Sequence, residues 1–268
     1  CFDIETHSPD GSFPFGERYP VVAIGIVTST GEREVFLWDG ESDRKVLTVF
    51  AKFISEYDPD IVYGYNLIGY DIPQILHRAS YHGLRNYKKM LNRDGTNYGW
   101  TPPKDSKDLR MKAGGRIILD VLRHTRRDYA LSGQGRGLKA VSRHFGLDPI
   151  ELDFEDKVLL DYPLSEIHDY VLSDVDCTKY LFDHYYPQIE YTAELLGVPL
   201  EAYVNAPNSY ITKILQGRKL YEQNIITKDI NRDRHPEIYK DDRGNFQAAH
   251  IELYEPGYHQ HNYKIDFA

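Results

Sequence analysis

The chain has 268 residues, of which 41% are apolar, and a net charge of −9 at neutral pH. The length allows one large domain or one domain with part of another, the acidic charge argues against a simple non-specific nucleic-acid binder, and no apolar run of about 18 residues predicts a membrane span. Two cysteines, Cys1 and Cys177, give neither a disulfide framework nor a zinc motif, so we expect a reducing, cytoplasmic setting without a membrane partner.

The first predicted strand, in "CFDIET", carries two carboxylates. Side chains of a strand alternate between its faces, so Asp3 and Glu5 project to one side while Phe2 and Ile4 project to the other. Like charges this close repel each other unless a cation lies between them. The residues therefore predict either a metal site or a strand whose second face is in water.

Strands and helices alternate through the next segments. A hairpin of two β-branched runs joined at Thr30 and Gly31 follows the first strand, and a helix ends before Pro59. A short apolar strand at 61–65 precedes a helix from about Pro73 to His82. This order predicts an α/β domain with a mixed sheet.

Asp71 lies between that short strand and the helix that follows it. An acidic residue at a helix start is first of all a capping residue. Further on, residues 86–122 contain turn signals and a buried run at 117–119, which predict a hairpin or an extended loop that returns to the main sheet. From Lys104 to Arg143 there are eleven Lys or Arg residues against four Asp residues. That excess predicts either a solvated surface or a phosphate-contacting patch.

A long helix is predicted from Leu164 to about Leu196. Tyr170 and Asp174 are four residues apart and share a face of this helix, about 6 Å apart along its axis, so a phenol and a carboxylate can meet one ligand. An exposed Asp beside a half-buried Tyr is the alternative. Asp169 and Asp176 are competing acids, and periodicity alone does not exclude Asp176.

Three motifs occur in a fitting order: D-x-E at residues 3–5, N-x-x-x-Y-D at residues 66–71 and Y-x-x-x-D at residues 170–174. Together they closely resemble the 3′–5′ exonuclease, or proofreading, domain of family B DNA polymerases, nearest to the archaeal enzymes. The stretches "GRIILDVL" and "GLKAV" resemble family segments between the second and third motifs. The resemblance implies a ribonuclease H-like mixed sheet flanked by helices.

The resemblance also implies a domain organisation. Residues 1–197 are predicted to form the exonuclease domain, and residues 198–268 a linker helix and the truncated start of a polymerase palm. Asp266 matches a palm metal ligand but lacks the partners that would give it that role. We therefore expect no nucleotide addition from these residues.

The implied activity is metal-dependent removal of nucleotides from the 3′ end of DNA. The resemblance implies that the catalytic residues are Asp3, Glu5, Asp71, Tyr170 and Asp174, and that the four acids hold two divalent cations. Oxygen-only ligands select hard ions, so Mg²⁺ is expected, with Mn²⁺ as a substitute. By resemblance, Asp3 bridges both ions, Glu5 and Asp174 hold the nucleophile-side ion and Asp71 supports the leaving-group side. Tyr170 is expected to position the attacking water or the scissile phosphate, because a phenol is a poor base at neutral pH.

The resemblance implies substrate contacts as well. Asn66 would donate hydrogen bonds to the terminal nucleotides, and the main chain around Ile4 and Thr6 would cap the 3′ end. Tyr70 would stack on a base, with plain core packing as its alternative. The expected partners are a single-stranded or frayed 3′ end of DNA and the remaining polymerase domains, in an archaeal or bacterial cytoplasm.

Two other readings of the sequence stay open. One is a free-standing nuclease of the wider superfamily, whose members often carry a His five residues before the last Asp, where this chain has Asp169. The other is a catalytically weak or inactive fragment that binds DNA or serves the structure of the polymerase. The presence of all four acids and of Tyr170 argues against a decayed site.

Overall fold

A computed structural model describes residues 1–100 and 111–225 of the chain. The chain divides into two compact units, Cys1–Gln216 and Gly217–Ala268. The predicted domain boundary after residue 197 stays a prediction, and the predicted palm segment with Asp266 lies outside the described residues. None of the described helices is long and apolar enough to cross a membrane.

An antiparallel sheet of three strands forms from the first predicted strand and the hairpin after it. Its strands are β1 (Phe2–Thr6), β2 (Val21–Val27) and β3 (Arg33–Leu37), in the order β1-β2-β3. All seven residues of β2 are buried, because this central strand is covered on both faces. The predicted hairpin is confirmed.

A parallel pair of strands forms a second ladder. In it, β4 (Ile61–Gly64) pairs with β5 (Ile117–Asp120). The expected mixture of parallel and antiparallel pairing is present, but it is divided between two ladders in the described part of the chain. Gly64 lets β4 lie close to β1, since a Cβ atom at this position would lie 2.9 Å from the Phe2 carbonyl oxygen.

Eight helices are found in the described residues, together with short 3₁₀ turns. They are α1 (Arg44–Tyr57), α2 (Asp71–Tyr81), α3 (Tyr87–Leu91), α4 (Val121–Arg127), α5 (Leu138–His144), α6 (Leu164–Leu196), α7 (Leu200–Tyr203) and α8 (Asn208–Glu222). The long periodic segments were predicted, whereas the short helices α3, α4 and α7, of five, seven and four residues, were not. In the segment predicted as a hairpin or an extended loop, isolated β-bridges join Ala113 to Gly99 and to Arg116. Residues 101–110 of this segment lie outside the described residues.

The long helix α6 packs against the three-stranded sheet. Gly25 of β2 makes this close approach possible, since a Cβ atom there would lie 2.9 Å from Cγ2 of Val171. Gly25 is the cross-strand partner of Asp3, so Asp3 and the Val171 region of α6 face each other. The helix ends at Gly197, whose φ of 64° is the left-handed conformation that glycine adopts readily. The packing therefore directs one face of α6 at the carboxylates of β1.

Candidate active site

Three of the four predicted acids meet between β1 and α6. Asp3, Glu5 and Asp174 each offer one carboxylate oxygen, and these oxygens lie within 4.8 Å of one another. Asp174 is buried, while Asp3 and Glu5 are half-buried. The strand alternation that projects Asp3 and Glu5 to one side thus directs both of them at α6.

Asp71 lies next to β1 and interacts with Asp3 and Glu5 through its charge. It is the first residue of α2 rather than its cap residue, and its Oδ1 accepts a hydrogen bond from the Ile4 main-chain nitrogen at 3.3 Å. Its negative charge raises the pKa of Asp3. The four predicted acids Asp3, Glu5, Asp71 and Asp174 are called the acidic cluster below.

Burial raises the pKa of every carboxylate of the acidic cluster. For Asp3 the repulsion from Asp71, Glu5 and Asp174 adds to the effect of burial, and for Glu5 the largest repulsion comes from Asp174. Burial, with a smaller contribution from Asp120, raises the pKa of Asp71 to about 7. Four crowded carboxylates with raised pKa values are a donor set that a hard divalent cation satisfies, so the residues fit the implied metal.

Tyr170 lies one turn before Asp174 on α6 and is half-buried. Burial raises the pKa of its phenol, and the negative charges of Glu5, Asp174 and Asp3 raise it further. The phenol therefore keeps its proton at neutral pH. It can donate a hydrogen bond in the site but cannot act as a general base there.

The two competing acids near Asp174 point elsewhere. Asp176 is half-exposed and its Oδ1 accepts a hydrogen bond from Arg33 Nε at 3.0 Å. Asp169 is exposed, and its Oδ1 lies 2.9 Å from Nδ1 of His168. Of the three acids in this part of α6, only Asp174 joins the acidic cluster.

A cavity of about 310 Å³ opens beside Glu5. Three predicted substrate contacts line it, namely Ile4, Thr6 and Tyr70, and so do Phe154 and Lys157. Phe154 and Lys157 belong to the loop before α6 and were not predicted from the sequence. Of the four acids, Glu5 lines this cavity.

Tyr70 is anchored at both ends of its side chain. Its hydroxyl contacts the Thr6 hydroxyl and donates to the Pro14 carbonyl at 2.7 Å. Its ring centroid lies 5.5 Å from that of Phe13 and 6.0 Å from that of Phe15. Phe13 is 74% exposed, so this aromatic cluster presents an apolar surface to solvent.

The loop between β4 and α2 is organised by a carboxylate that the sequence analysis missed. Asp120 at the end of β5 accepts hydrogen bonds from the main-chain nitrogens of Asn66 at 3.0 Å and Ile68 at 3.1 Å. Asn66 is exposed with a φ of 64°, and it does not line the described cavity. A Cβ atom at residue 69 would collide with the Asn66 amide oxygen, so the observed position of the Asn66 side chain requires glycine at residue 69. An Asp that ends a buried strand in "IILD" was the signal available in the sequence.

Lys139 is a further side chain at the site that was not predicted from the sequence. It lies in the first turn of α5, where its ammonium group contacts the Asp174 carboxylate and donates to the Ile150 carbonyl at 2.7 Å. In the sequence it was counted only as one of the eleven basic residues from 104 to 143.

The arginines of that basic segment mostly bind main-chain carbonyls of the fold. Arg123 donates to Asn205, Arg127 to Ala206, Arg136 to Thr125 and Arg116 to Leu91. Arg126 on α4 is exposed. The proposed phosphate-contacting patch therefore reduces to fewer side chains than the sequence count indicated, and residues 104–110 lie outside the described part.

A comparison with protein families finds one match that bears on this site. A family model described as "DNA polymerase family B, exonuclease domain" matches residues 1–141. The match includes Asp3, Glu5 and Asp71, and it ends before Tyr170 and Asp174.

Curated relatives extend the similarity through most of the chain. The DNA polymerase delta catalytic subunit of Oryza sativa subsp. japonica is 27% identical over 85% of this chain, and that of Candida albicans is 27% identical over 89%. The catalytic subunit of DNA polymerase epsilon from Yarrowia lipolytica is 25% identical over 86%. The matched regions are 23%, 26% and 10% of these relatives, so the chain spans only a small part of each. All three are eukaryotic, and they give no support to the predicted archaeal or bacterial source.

A solved structure matches at the level of the fold. The family B DNA polymerase from the hyperthermophilic archaeon Pyrobaculum calidifontis superposes with a TM-score of 0.66 and 26% sequence identity. The match covers 82% of this chain and 28% of that chain. The predicted α/β fold is confirmed.

Proposed function

The chain belongs to the family of exonuclease domains of family B DNA polymerases, and on that premise we propose that it removes nucleotides from the 3′ end of DNA by metal-dependent hydrolysis. One observation carries the proposal. The acidic cluster converges beside a cavity of about 310 Å³ that is lined by aromatic and polar side chains. Acids held this close, against their mutual repulsion, are typical of a site built for cations.

The acids of the cluster are proposed to hold two divalent cations, Mg²⁺ or Mn²⁺. When bound, such ions activate a water molecule and stabilise the charge of the leaving oxygen. Asp3 lies with Glu5 and Asp174 in one group of carboxylates and also feels the charge of Asp71, which supports the proposal that Asp3 would contact both ions. Tyr170 keeps its proton and orients the attacking water or the scissile phosphate through a hydrogen bond.

The proposed substrate is a single-stranded or frayed 3′ end. Its terminal nucleotide would enter the cavity between Thr6 and Phe154, with the aromatic cluster around Tyr70 offering a surface on which a base stacks. The Ile4 main-chain nitrogen already donates to Asp71, so capping of the 3′ end by this group would require the two contacts to share it. A single strand fits because stacking needs an unpaired base.

The direct test is the degradation of 5′-labelled single-stranded DNA in Mg²⁺ or Mn²⁺. We expect a ladder that shortens from the 3′ end and disappears in EDTA. Asp174→Asn should reduce cleavage by about 1000-fold or more, because it removes a charged ligand from the site. Asp176→Asn is the matched control, two residues along the same helix, and should cleave at the unmodified rate. Equal rates in the two variants would refute the assignment of Asp174.

A second candidate is a DNA-binding or structural fragment with little activity of its own. The small share of the relatives that this chain spans supports it, since other domains of a longer polymerase would then deliver the DNA. A folded chain that binds Mn²⁺ and DNA without cleaving it would favour this candidate. Nucleotide addition is not proposed for these residues. A cytoplasmic setting stays part of the proposal, supported by the unpaired cysteines Cys1 and Cys177.

A further inference from the structure

We propose that Lys139 is a built-in counter-ion of the acidic cluster and that its ammonium group competes with a divalent cation for Asp174. This inference rests on the proposed function, because it concerns the cation site on which that function depends. Lys139 would act as a positioning residue that sets both the metal affinity of the site and its stability before metal binds.

Three contacts hold the ammonium group of Lys139. It contacts the Asp174 carboxylate, donates to the Ile150 carbonyl at 2.7 Å and lies 4.2 Å from the ring centroid of Tyr170. The Lys139 side chain is only 20% exposed, so it is withdrawn from solvent rather than extended into it. A lysine held from three sides beside two predicted catalytic residues is not a surface charge.

The contact between Lys139 and Asp174 places a positive charge in a group of acids. Each acid of the cluster carries a negative charge when ionised, and Lys139 is the cationic side chain that the described structure places against them. Its ammonium group contacts Asp174, whose carboxylate lies within 4.8 Å of those of Asp3 and Glu5. A divalent cation near Asp174 would meet a repulsive charge at short range, where Coulomb interactions are strong. Ammonium and metal therefore draw on the same carboxylate.

Two contacts of the Lys139 ammonium group would remain if Asp174 bound a metal ion instead. The Ile150 main-chain nitrogen donates to Ser173 Oγ at 2.9 Å, which fixes the Ile150 loop onto α6 next to Asp174. The Ile150 carbonyl and the Tyr170 ring can thus keep the ammonium group after it leaves Asp174. Since only one of three contacts is exchanged, the competition should be moderate.

The test is a Mn²⁺ titration without DNA, followed by the electron paramagnetic resonance signal of free Mn²⁺. Lys139→Met should bind Mn²⁺ about tenfold more tightly than the unmodified chain, within the usual range of coupling between two ligands of one site. Lys139→Arg keeps the charge and should stay within about threefold of the unmodified affinity. Circular dichroism verifies that each variant is folded.

Thermal unfolding supplies a second readout that does not depend on activity. In EDTA, Lys139→Met should melt at a lower temperature than the unmodified chain, because the carboxylates lose their counter-ion. In saturating Mn²⁺ that difference should shrink or reverse, since the metal then supplies the positive charge. Lys139→Gln keeps a hydrogen-bond donor without the charge and serves in place of Lys139→Met if the latter does not fold.

Unchanged or weaker Mn²⁺ binding by the uncharged variants would overturn the competition while leaving the proposed function intact. An equal loss of melting temperature in EDTA and in Mn²⁺ would also overturn it, because Lys139 would then be an ordinary packing residue. An unmodified, folded chain that binds no Mn²⁺ would overturn both this inference and the proposed function.

Discussion

Two carboxylate sites in this chain, the acidic cluster and Asp43, show opposite electrostatics. In the acidic cluster, the carboxylates of Asp3, Glu5 and Asp174 face one another, Asp71 adds its charge, and the ammonium group of Lys139 contacts Asp174. In the second group, called the Asp43 cluster, one carboxylate with a fully buried side chain accepts hydrogen bonds from Arg78 Nε and Nη2, both at 2.7 Å, from Val21 at 2.9 Å and from His82.

The pKa values of the two groups move in opposite directions. Burial opposes the charge of Asp43, yet the hydrogen bonds from Arg78, His82 and Val21 prevail and lower its pKa. Burial and repulsion raise the pKa of every acid in the acidic cluster. The fold thus surrounds the Asp43 carboxylate with hydrogen-bond donors, whereas the carboxylates of the acidic cluster repel one another and only Asp174 contacts the ammonium group of Lys139. Unsatisfied charge in a cleft is the physical mark of a functional site.

The largest effect on the acidic cluster is expected from a substitution of Asp3. Asp3→Asn should reduce 3′ cleavage by about 1000-fold or more, because the central acid of the cluster loses its charge. Its melting temperature in EDTA should rise, since one repulsive charge is gone. A cleavage assay and a thermal melt check both. Loss of cleavage together with a lower melting temperature would mean that Asp3 stabilises the fold.

Removal of the Asp43 carboxylate should lower the stability of the fold and leave cleavage unchanged. Asp43→Ala leaves the guanidinium group of Arg78 buried without its partner, and we expect a loss of about 3–5 kcal/mol in the free energy of unfolding. Cleavage per folded molecule should not change. Asp39→Ala in the same loop is the control, because Asp39 is partly exposed and its contact with Lys45 is long, at 3.7 Å. Urea denaturation that shows equal losses for both variants would contradict the comparison.

The pH dependence of stability sharpens the comparison. The pKa of Asp71 is about 7 in the folded chain and lower in the unfolded chain, so between these values the folded chain holds a proton that the unfolded chain has released. Stability from this group is therefore lost as the pH rises towards 7. In EDTA, Asp71→Asn should gain about 1–3 kcal/mol relative to the unmodified chain between about pH 5 and about pH 8. A stability difference between the two chains that does not change with pH, measured by urea unfolding, would show that ionisation of Asp71 does not destabilise the folded chain.

The smallest effect is expected at an exposed ion pair. Arg33 and Asp176 lie 3.0 Å apart with side chains that are 51% and 41% exposed. Because solvent screens both charges, Arg33→Ala should cost no more than about 1 kcal/mol in the free energy of unfolding and leave cleavage unchanged. A loss of the size expected for Asp43→Ala would show that exposure does not separate the two kinds of site.

The sequence by itself determined the features that depend on neighbouring residues. Alternation along β1 placed Asp3 and Glu5 on one face, and the period of α6 placed Tyr170 and Asp174 on one face. Family resemblance added Asp71 to this set. The structure brings Asp3, Glu5 and Asp174 within 4.8 Å of one another, with Asp71 and Tyr170 close enough to interact electrostatically. Their catalytic roles stay predictions until the variants are assayed.

Only the tertiary structure decided which distant groups meet. It placed Asp174 in the acidic cluster and Asp176 against Arg33. It also placed Lys139 against Asp174. Asp120, at the end of β5, accepts hydrogen bonds from the loop before Asp71. The tertiary structure also directed most of the described arginines between 104 and 143 at main-chain carbonyls. Local periodicity reports the face on which a side chain lies, but the partner on that face is chosen by packing between segments far apart in the chain.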